Sequence, residues 1–366
     1  MRAASLAVYV DAITGTPPNP SGAHRLARAA ASRLDEARER IAAVLGTTPS
    51  AIVITSGGSE ADNLALLGSP RPSSVVISAI EHPGVAAAAA QLAAHHDVAL
   101  VVLGVDHEGR LDVAEAVERI DDGSLVSVMA ANGETGVVQP VIELSEALRD
   151  RGVSVRFHSD AVAAASTHDL RAVTDAVDLV SIAGQKIGAP IGTGVLVAPP
   201  DLALHGILVG GPQQRSRRAG TENIPGALAL AVALEEVARE LADGSVTQLV
   251  ARRDHLAATI VATIPGAMVT GAGADRLAGH LHLTFDGVRS EELLLLLDQA
   301  GVCAAAGSAC SSGAPTASPT LLAMGIDEAR ARGALRLTLA TSTTDDEVDA
   351  AAQAVIRSVE ALRSSG

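Results

Sequence analysis

Residues 51–63, AIVITSGGSEADN, run from a short apolar stretch through a glycine pair into the start of an amphipathic one. The apolar part is β-branched and brief, and Gly57–Gly58 ends it at once, so the segment reads as a buried strand feeding a helix. The same alternation continues outward. VVISA (75–79), VALVVLG (98–104), LVSVMA (125–130), VSVRFH (153–158), DLVSIA (178–183) and GVLVA (194–198) are separated by helix-like stretches. Near-continuous apolar strands interleaved with helices predict an α/β fold whose sheet is mostly parallel and covered on both faces. Ligands of such sheets sit beyond the carboxyl ends of the strands.

Upstream, LAVYV (6–10) reads as a strand, and residues 22–45 read as one helix with Ser21 as cap and Gly46 as stop. Downstream, helical sequence from about 225 to 263 forms a bridge to a different pattern. There a strand (HLHLTF, 280–285), a helix (SEELLLLLDQA, 290–300), a loop of small residues around Cys310, a strand (ALRLTL, 334–339) and a helix from near Thr344 follow in turn. The division this predicts is a large α/β domain over 11–244 and a smaller α+β domain over 245–366, with residues 1–10 joining the latter.

The 366 residues are 48% hydrophobic and 19% charged, which excludes disorder and coiled coil as descriptions of the whole. With no Trp, one Tyr and two Phe, stacking platforms for single-stranded nucleic acid are lacking, and a net charge of −15 repels phosphate backbones. Nucleic acid is therefore not an expected partner. No apolar run reaches the roughly 18–20 residues needed to cross a bilayer, and no targeting segment is apparent. Cys303 and Cys310 are too few for a disulfide framework or a four-cysteine zinc site, so a cytoplasmic protein without a metal is expected.

Four features stand where strands end. The amides of Gly57, Gly58 and Ser59 suit a phosphate at a helix N-terminus, or an ordinary turn capped by Ser59. Asp160, after VSVRFH, is placed either to pair with a cation such as a protonated pyridine nitrogen or to cap a helix. Lys186, in GQKIG, is the single lysine of the chain. Lysines are commonly solvated, yet one held in a dry pocket becomes a Schiff-base nucleophile. Cys310, in AAAGSACSSGAP, sits among residues too small to pack and reads as a reactive thiol, whereas Cys303 in GVCAAA reads as buried and inert.

Taken together, NPSGAH, TSGGSEADN, EHPGV, NGETGVVQP, FHSDAV, GQKIGAPIGTGVL, GGPQQRSRRAGTEN and GSACSSG, followed by LLAMG, resemble the cysteine desulfurases. These are fold-type-I pyridoxal-phosphate enzymes of the class V aminotransferase superfamily, and GSACSSG is similar to their iron–sulfur-cluster and nitrogen-fixation branch. The resemblance implies that Lys186 binds pyridoxal 5'-phosphate, that Asp160 pairs with its pyridine nitrogen, and that His82 stacks on the ring and moves protons. It implies that Gly58 and Ser59 hold the phosphate, with Gln185 beside them and Thr221 reaching in from the other subunit of a homodimer with shared sites. The implied reaction turns L-cysteine into L-alanine and leaves a persulfide on Cys310 for a sulfur-acceptor protein.

The likeness has departures. Ala183, Gly184 and Gln185 stand where the family has Ser-Gly-His before the lysine, Gly133 replaces the second residue of an asparagine pair, and Ala163 replaces a glutamine. Thr341 stands where an arginine is expected to clamp the substrate carboxylate, leaving Arg215, Arg217 and Arg218 as candidate replacements. A different pyridoxal-phosphate reaction (C–S lysis or transamination) and a sulfur-relay or regulatory role are the competing readings.

Overall fold

The computed structural model describes residues 1–14, 19–307 and 317–365; Cys310 lies outside the described residues. The chain forms two compact units. The first comprises Met1–Leu103, Val113–Ala130 and Pro140–Arg239, and the second Gly104–Asp112, Ala131–Gln139 and Glu240–Gly366.

The seven apolar runs become β1 (Ile52–Thr55), β2 (Ser74–Ser78), β3 (Ala99–Leu103), β4 (Leu125–Ser127), β5 (Arg156–Asp160), β6 (Leu179–Ala183) and β7 (Gly194–Val197). They make one sheet in the order β1-β7-β6-β5-β4-β2-β3. The pairs β2–β3, β2–β4, β4–β5 and β5–β6 are parallel, and β7 runs antiparallel to both β1 and β6. A parallel return needs a crossover of about a dozen residues or more. The link from β6 to β7 is shorter, so β7 doubles back, and Lys186 lies in that link. Strands β1, β2, β4, β6 and β7 are buried along their whole length, as their unbroken apolar sequence demands, while β3 at the edge is largely open.

Among the described residues eight α-helices accompany this sheet: α1 (Ala3–Thr14), α2 (Arg25–Leu45), α3 (Gly58–Leu67), α4 (Pro83–His96), α5 (Val113–Glu118), α6 (Val141–Asp150), α7 (Arg171–Ala176) and α8 (Ile224–Ala242). Three expectations are corrected here. LAVYV is helical, because its short apolar run fits either period and the alanines around it favour a helix. This helix belongs to the first unit, not the second: Arg2 N donates to Gly188 O at 2.8 Å and Ser5 Oγ to Ala229 O at 2.9 Å. The cap of α2 is His24, whose Nδ1 accepts from Ala27 N at 3.1 Å, and not Ser21; Gly46 ends the helix at φ 69°.

The second unit contains β8 (Met268–Val269), β9 (His280–Thr284) and β10 (Ala334–Thr338) in an antiparallel sheet ordered β10-β9-β8. Its helices are α9 (Ser245–Thr263), α10 (Ser290–Gln299), α11 (Pro319–Ala323), α12 (Glu328–Ala331) and α13 (Asp345–Ser365). Phe285, Leu283, Leu335, Leu297 and Val355 lie in its core. The stretch 225–263 is therefore two helices, broken at Gly244 with φ 86°. Cys303 is exposed, contrary to the buried reading, since the small side chains around it cannot enclose it. Among the described residues, no helix is long and apolar enough to cross a membrane.

Leu295 and Leu297 share α10 but are 59% and 0% exposed. Leu297→Ala is expected to lower the unfolding free energy by about 2–5 kcal/mol in a urea titration, and Leu295→Ala to change it by about 0.5 kcal/mol or less.

Candidate active site

Strands β1, β2, β4, β5 and β6 point the same way, so their carboxyl ends share one edge of the sheet. Thr55 at the end of β1 leads through Gly57, at φ 153°, into α3. The position before α3 is thus taken by Gly57, and Ser59 lies inside the helix, not at its cap. A Cβ on Gly58 would fall 2.7 Å from Val162 Cγ2 and 3.4 Å from Ala183 Cβ, which places the start of α3 against the segments carrying Asp160 and Lys186. Among the described residues no acceptor takes the amides of Gly58 and Ser59. They are donors at the positive end of a helix.

Asp160 closes β5 with its side chain buried, and its Oδ1 accepts from Val162 N at 2.8 Å. Burial pushes this carboxyl up from the ordinary range, while the Val162 amide and the charges of His82 and Lys186 pull it down. The structure therefore brings Asp160, His82 and Lys186 within electrostatic reach of one another. His82 precedes α4, and its Nδ1 accepts from Gly84 N at 3.0 Å. An acceptor at Nδ1 leaves the proton of the neutral ring on Nε2. Lys186 ends the single 3₁₀ turn Gly184–Lys186 after β6, and both it and Gln185 are exposed. Thr221 is exposed ahead of α8.

Sequence reasoning missed the layer beneath. Asp62 on α3 lies 3.7 Å from His158 Nε2, and His158 bonds Ser127 Oγ at 2.8 Å and Ser181 Oγ at 2.9 Å. Burial drives His158 down to about 3, so the ring is neutral. Asp62 is pushed well up, first by burial and then by the charges of Asp160 and Glu81, against the hydroxyl of Ser181. The available signal was polar residues inside apolar runs, such as the histidine and serine of RFHSD in β5.

The loop after β7 is tied to the same edge. Gln214, Arg215 and Ser216 all have positive φ, at 47°, 57° and 63°. Gln214 Oε1 accepts from Ile54 N at 2.9 Å on β1, and Arg218 Nε donates to Glu60 Oε1 at 2.9 Å. Burial works to raise the Glu60 carboxyl, but Arg218 and Ser56 hold it below the ordinary range. Arg217 is buried and donates to the carbonyls of Ala198, Pro199, Pro200 and Leu202, and Arg215 donates to Ser50 O at 2.7 Å. Arg217 and Arg218 are thus engaged elsewhere, while Arg215, bonded to Ser50 O, is exposed.

In the second unit, Asn132 Oδ1 accepts the amides of Glu134 and Thr135, each at 2.9 Å, and folds NGETG into a tight turn. Arg336 on β10 faces His282 on β9 and donates to Gly133 O at 2.9 Å. Burial and the Arg336 charge push His282 down to about 3. Thr341 Oγ1 donates to Glu240 Oε1 at 3.0 Å.

In the first unit, free amides at a helix start, an imidazole, an exposed amine and a buried carboxyl fit the phosphate, ring face, aldehyde and pyridine nitrogen of pyridoxal phosphate. The fold and this donor set define a fold-type-I pyridoxal-phosphate enzyme. The chain belongs to the aminotransferase class-V family, whose model matches residues 6–351. It is 37% identical over 352 residues to a cysteine desulfurase of Nostoc sp. (strain PCC 7120), covering 94% of this chain and 86% of that relative. Among solved structures it is similar to a NifS-like protein (TM-score 0.90, 26% identity, 98% of this chain and 96% of that one). It is also similar to SspA in complex with cysteine (TM-score 0.80, 26% identity, 94% and 97% covered).

Gly58→Ala is expected to weaken pyridoxal phosphate binding about tenfold or more, roughly 1.4 kcal/mol, in an absorbance titration. Val162→Ala added to it should restore most of the loss, because Val162 Cγ2 is the atom the new methyl meets.

Proposed function

We propose that the chain is a pyridoxal-phosphate-dependent cysteine desulfurase that converts L-cysteine to L-alanine and holds the sulfur as a persulfide on Cys310 for a sulfur-acceptor protein. The observation that carries this is the gathering of Asp160, His82 and Lys186 beside the start of α3 in a chain so similar to a cysteine desulfurase. When bound, the cofactor supplies an electron sink that loosens bonds at the substrate Cα and, through it, the Cβ–Sγ bond.

The chain's own residues do the rest. Lys186 Nζ holds the cofactor and carries protons at Cα. Asp160 would keep the ring nitrogen protonated, and His82 would serve the ring face with its Nε2 proton. The amides of Gly58 and Ser59 take the phosphate, Gln185 borders it, and Thr221 reaches it from the second copy in a homodimer. The Cys310 thiolate attacks Sγ of the substrate: the Cβ–Sγ bond breaks, a sulfur–sulfur bond forms, and Cβ gains a proton. L-Cysteine plus thiol gives L-alanine plus persulfide, so atoms balance with no added oxidant. In this reading residues 11–244 carry the cofactor and residues 245–366 the Cys310 loop, in a reducing cytoplasm that keeps the thiol free.

The deciding experiment records that absorption and assays cysteine for alanine and sulfide in the wild type, Lys186→Ala and Cys310→Ala. The wild type should bind cofactor and form alanine. Lys186→Ala should lose turnover, and Cys310→Ala should keep the cofactor and lose turnover about 100-fold or more. Turnover that survives in Cys310→Ala indicates C–S lysis or transamination instead. A wild type that binds no cofactor overturns every enzyme reading.

A further inference from the structure

Glu81, the residue before His82, has no part in the mechanism above, and its geometry extends the proposed cofactor reading, on which this inference rests. Its carboxyl group ties two strand ends together. Ser78 Oγ, the last residue of β2, donates to Glu81 Oε1 at 2.6 Å, and Met129 N, just past β4, donates to the same oxygen at 2.8 Å. Oε2 is buried and has no partner among the described residues. Two donors on one oxygen and none on the other is the pattern of a carboxylic acid with Oε1 as its carbonyl and Oε2 as its hydroxyl.

The surrounding charges argue the same way. The titratable groups acting with Glu81 are Asp62 from α3 and Asp160 from β5, both carboxyls. Asp62 is 1% exposed and its Oδ1 has no hydrogen-bond partner among the described residues. The cations near the group, His82 and Lys186, act on Asp160. Three carboxylates around so little positive charge would repel one another in a medium that screens poorly.

We propose that Glu81 is a positioning residue: as the neutral acid it locks the turn bearing His82 onto the end of β4 and leaves Asp160 as the carboxylate charged toward the cofactor ring. Burial, assisted by the Asp160 charge, moves the Glu81 carboxyl from 4.5 to about 8, against the Ser78 and Met129 hydrogen bonds. The sign of the stability effect follows. An unfolded chain releases this proton near 4.5 while the folded one keeps it to about 8, so stability falls as pH rises through that window and levels off above it.

The test compares wild type, Glu81→Gln and Glu81→Ala in two ways. Without cofactor, thermal unfolding is followed from about pH 5 to pH 9. With cofactor, pyridoxal phosphate affinity is read from near-visible absorption. Glutamine keeps a carbonyl where Oε1 lies and cannot ionise. Its fall in Tm between pH 5 and pH 8 should be smaller than the wild type's by about 4 °C or more. Its cofactor affinity should stay within about threefold of wild type, while alanine, lacking the clasp, weakens it about tenfold or more. A Glu81→Gln protein whose Tm follows pH as the wild type's does, or that loses cofactor as badly as Glu81→Ala, overturns the proposal. A wild type that binds no cofactor removes the assignment toward the ring together with the reading it rests on, whereas the cofactor-free Tm comparison separately decides whether Glu81 is the neutral acid.

Discussion

A carboxyl group taken out of water at the end of β5 sets the terms for its neighbours. Burying a charge is costly unless it is paired and hydrogen-bonded. Asp160 meets that condition only in part: one amide, from Val162, donates to it, and His82 and Lys186 offset its burial from a distance. The remaining demand is for a cation facing the carboxylate, and in the proposed function a protonated ring nitrogen would meet it. The sheet enforces the arrangement. Both faces of β5 and β6 are closed by packing, so polar groups on these strands either bond each other within the core, as His158, Ser127 and Ser181 do, or collect at the strand ends.

The antiparallel strand β7 is the second element of the design. A crossover helix after β6 would carry the chain over one face of the sheet. The short return instead keeps Lys186 at the carboxyl end of β6, beside the end of β5 and the start of α3. Gly58 completes the approach, because the methyl of any larger residue would meet Val162. The loop after β7 then spends backbone strain to reach the same place. Three successive residues at positive φ cost about 1–3 kcal/mol each. They persist because Gln214 bonds the backbone of β1, Arg217 gathers four carbonyls, and Arg218 grips Glu60 in the first turn of α3.

The seven strands of the first sheet were legible because each is a short apolar run bounded by turn residues, and burial on both faces erases any competing period. Asp160 and Lys186 stand out in the sequence for a related reason, since they interrupt apolar or glycine-rich stretches at the points where α/β sheets bind ligands, whereas His82 came into view only through the resemblance to the cysteine desulfurases. What stayed hidden depends on partners far away in the chain. LAVYV fits a strand or a helix until Ser5 is seen bonded to Ala229. Asp62, Glu81 and His158 look like surface or capping residues until α3, β2 and β5 are brought together. The commitment of Arg217 to carbonyls near residue 200 has no local signature either.

Composition bears on the chemistry in a way that geometry alone does not. An aldehyde condenses with amines, and arginine, fully protonated at any accessible pH, does not compete for it. In a chain whose other basic side chains of that length are all arginines, Lys186 is the one side-chain amine on offer. In the proposed function, using arginine for every other long basic side chain would lower nonproductive capture of a reactive cofactor while keeping the ion pairs, such as Arg40 with Glu235 and Arg218 with Glu60, that fasten α2 to α8 and the strained loop to α3. The same substitution suits the structure for a second reason, since the planar guanidinium of Arg217 serves several carbonyls at once, which an ammonium on a flexible stem does less well. In the proposed function, the scarcity of lysine and the placement of the one that remains are thus two sides of a single constraint on where an aldehyde is allowed to react.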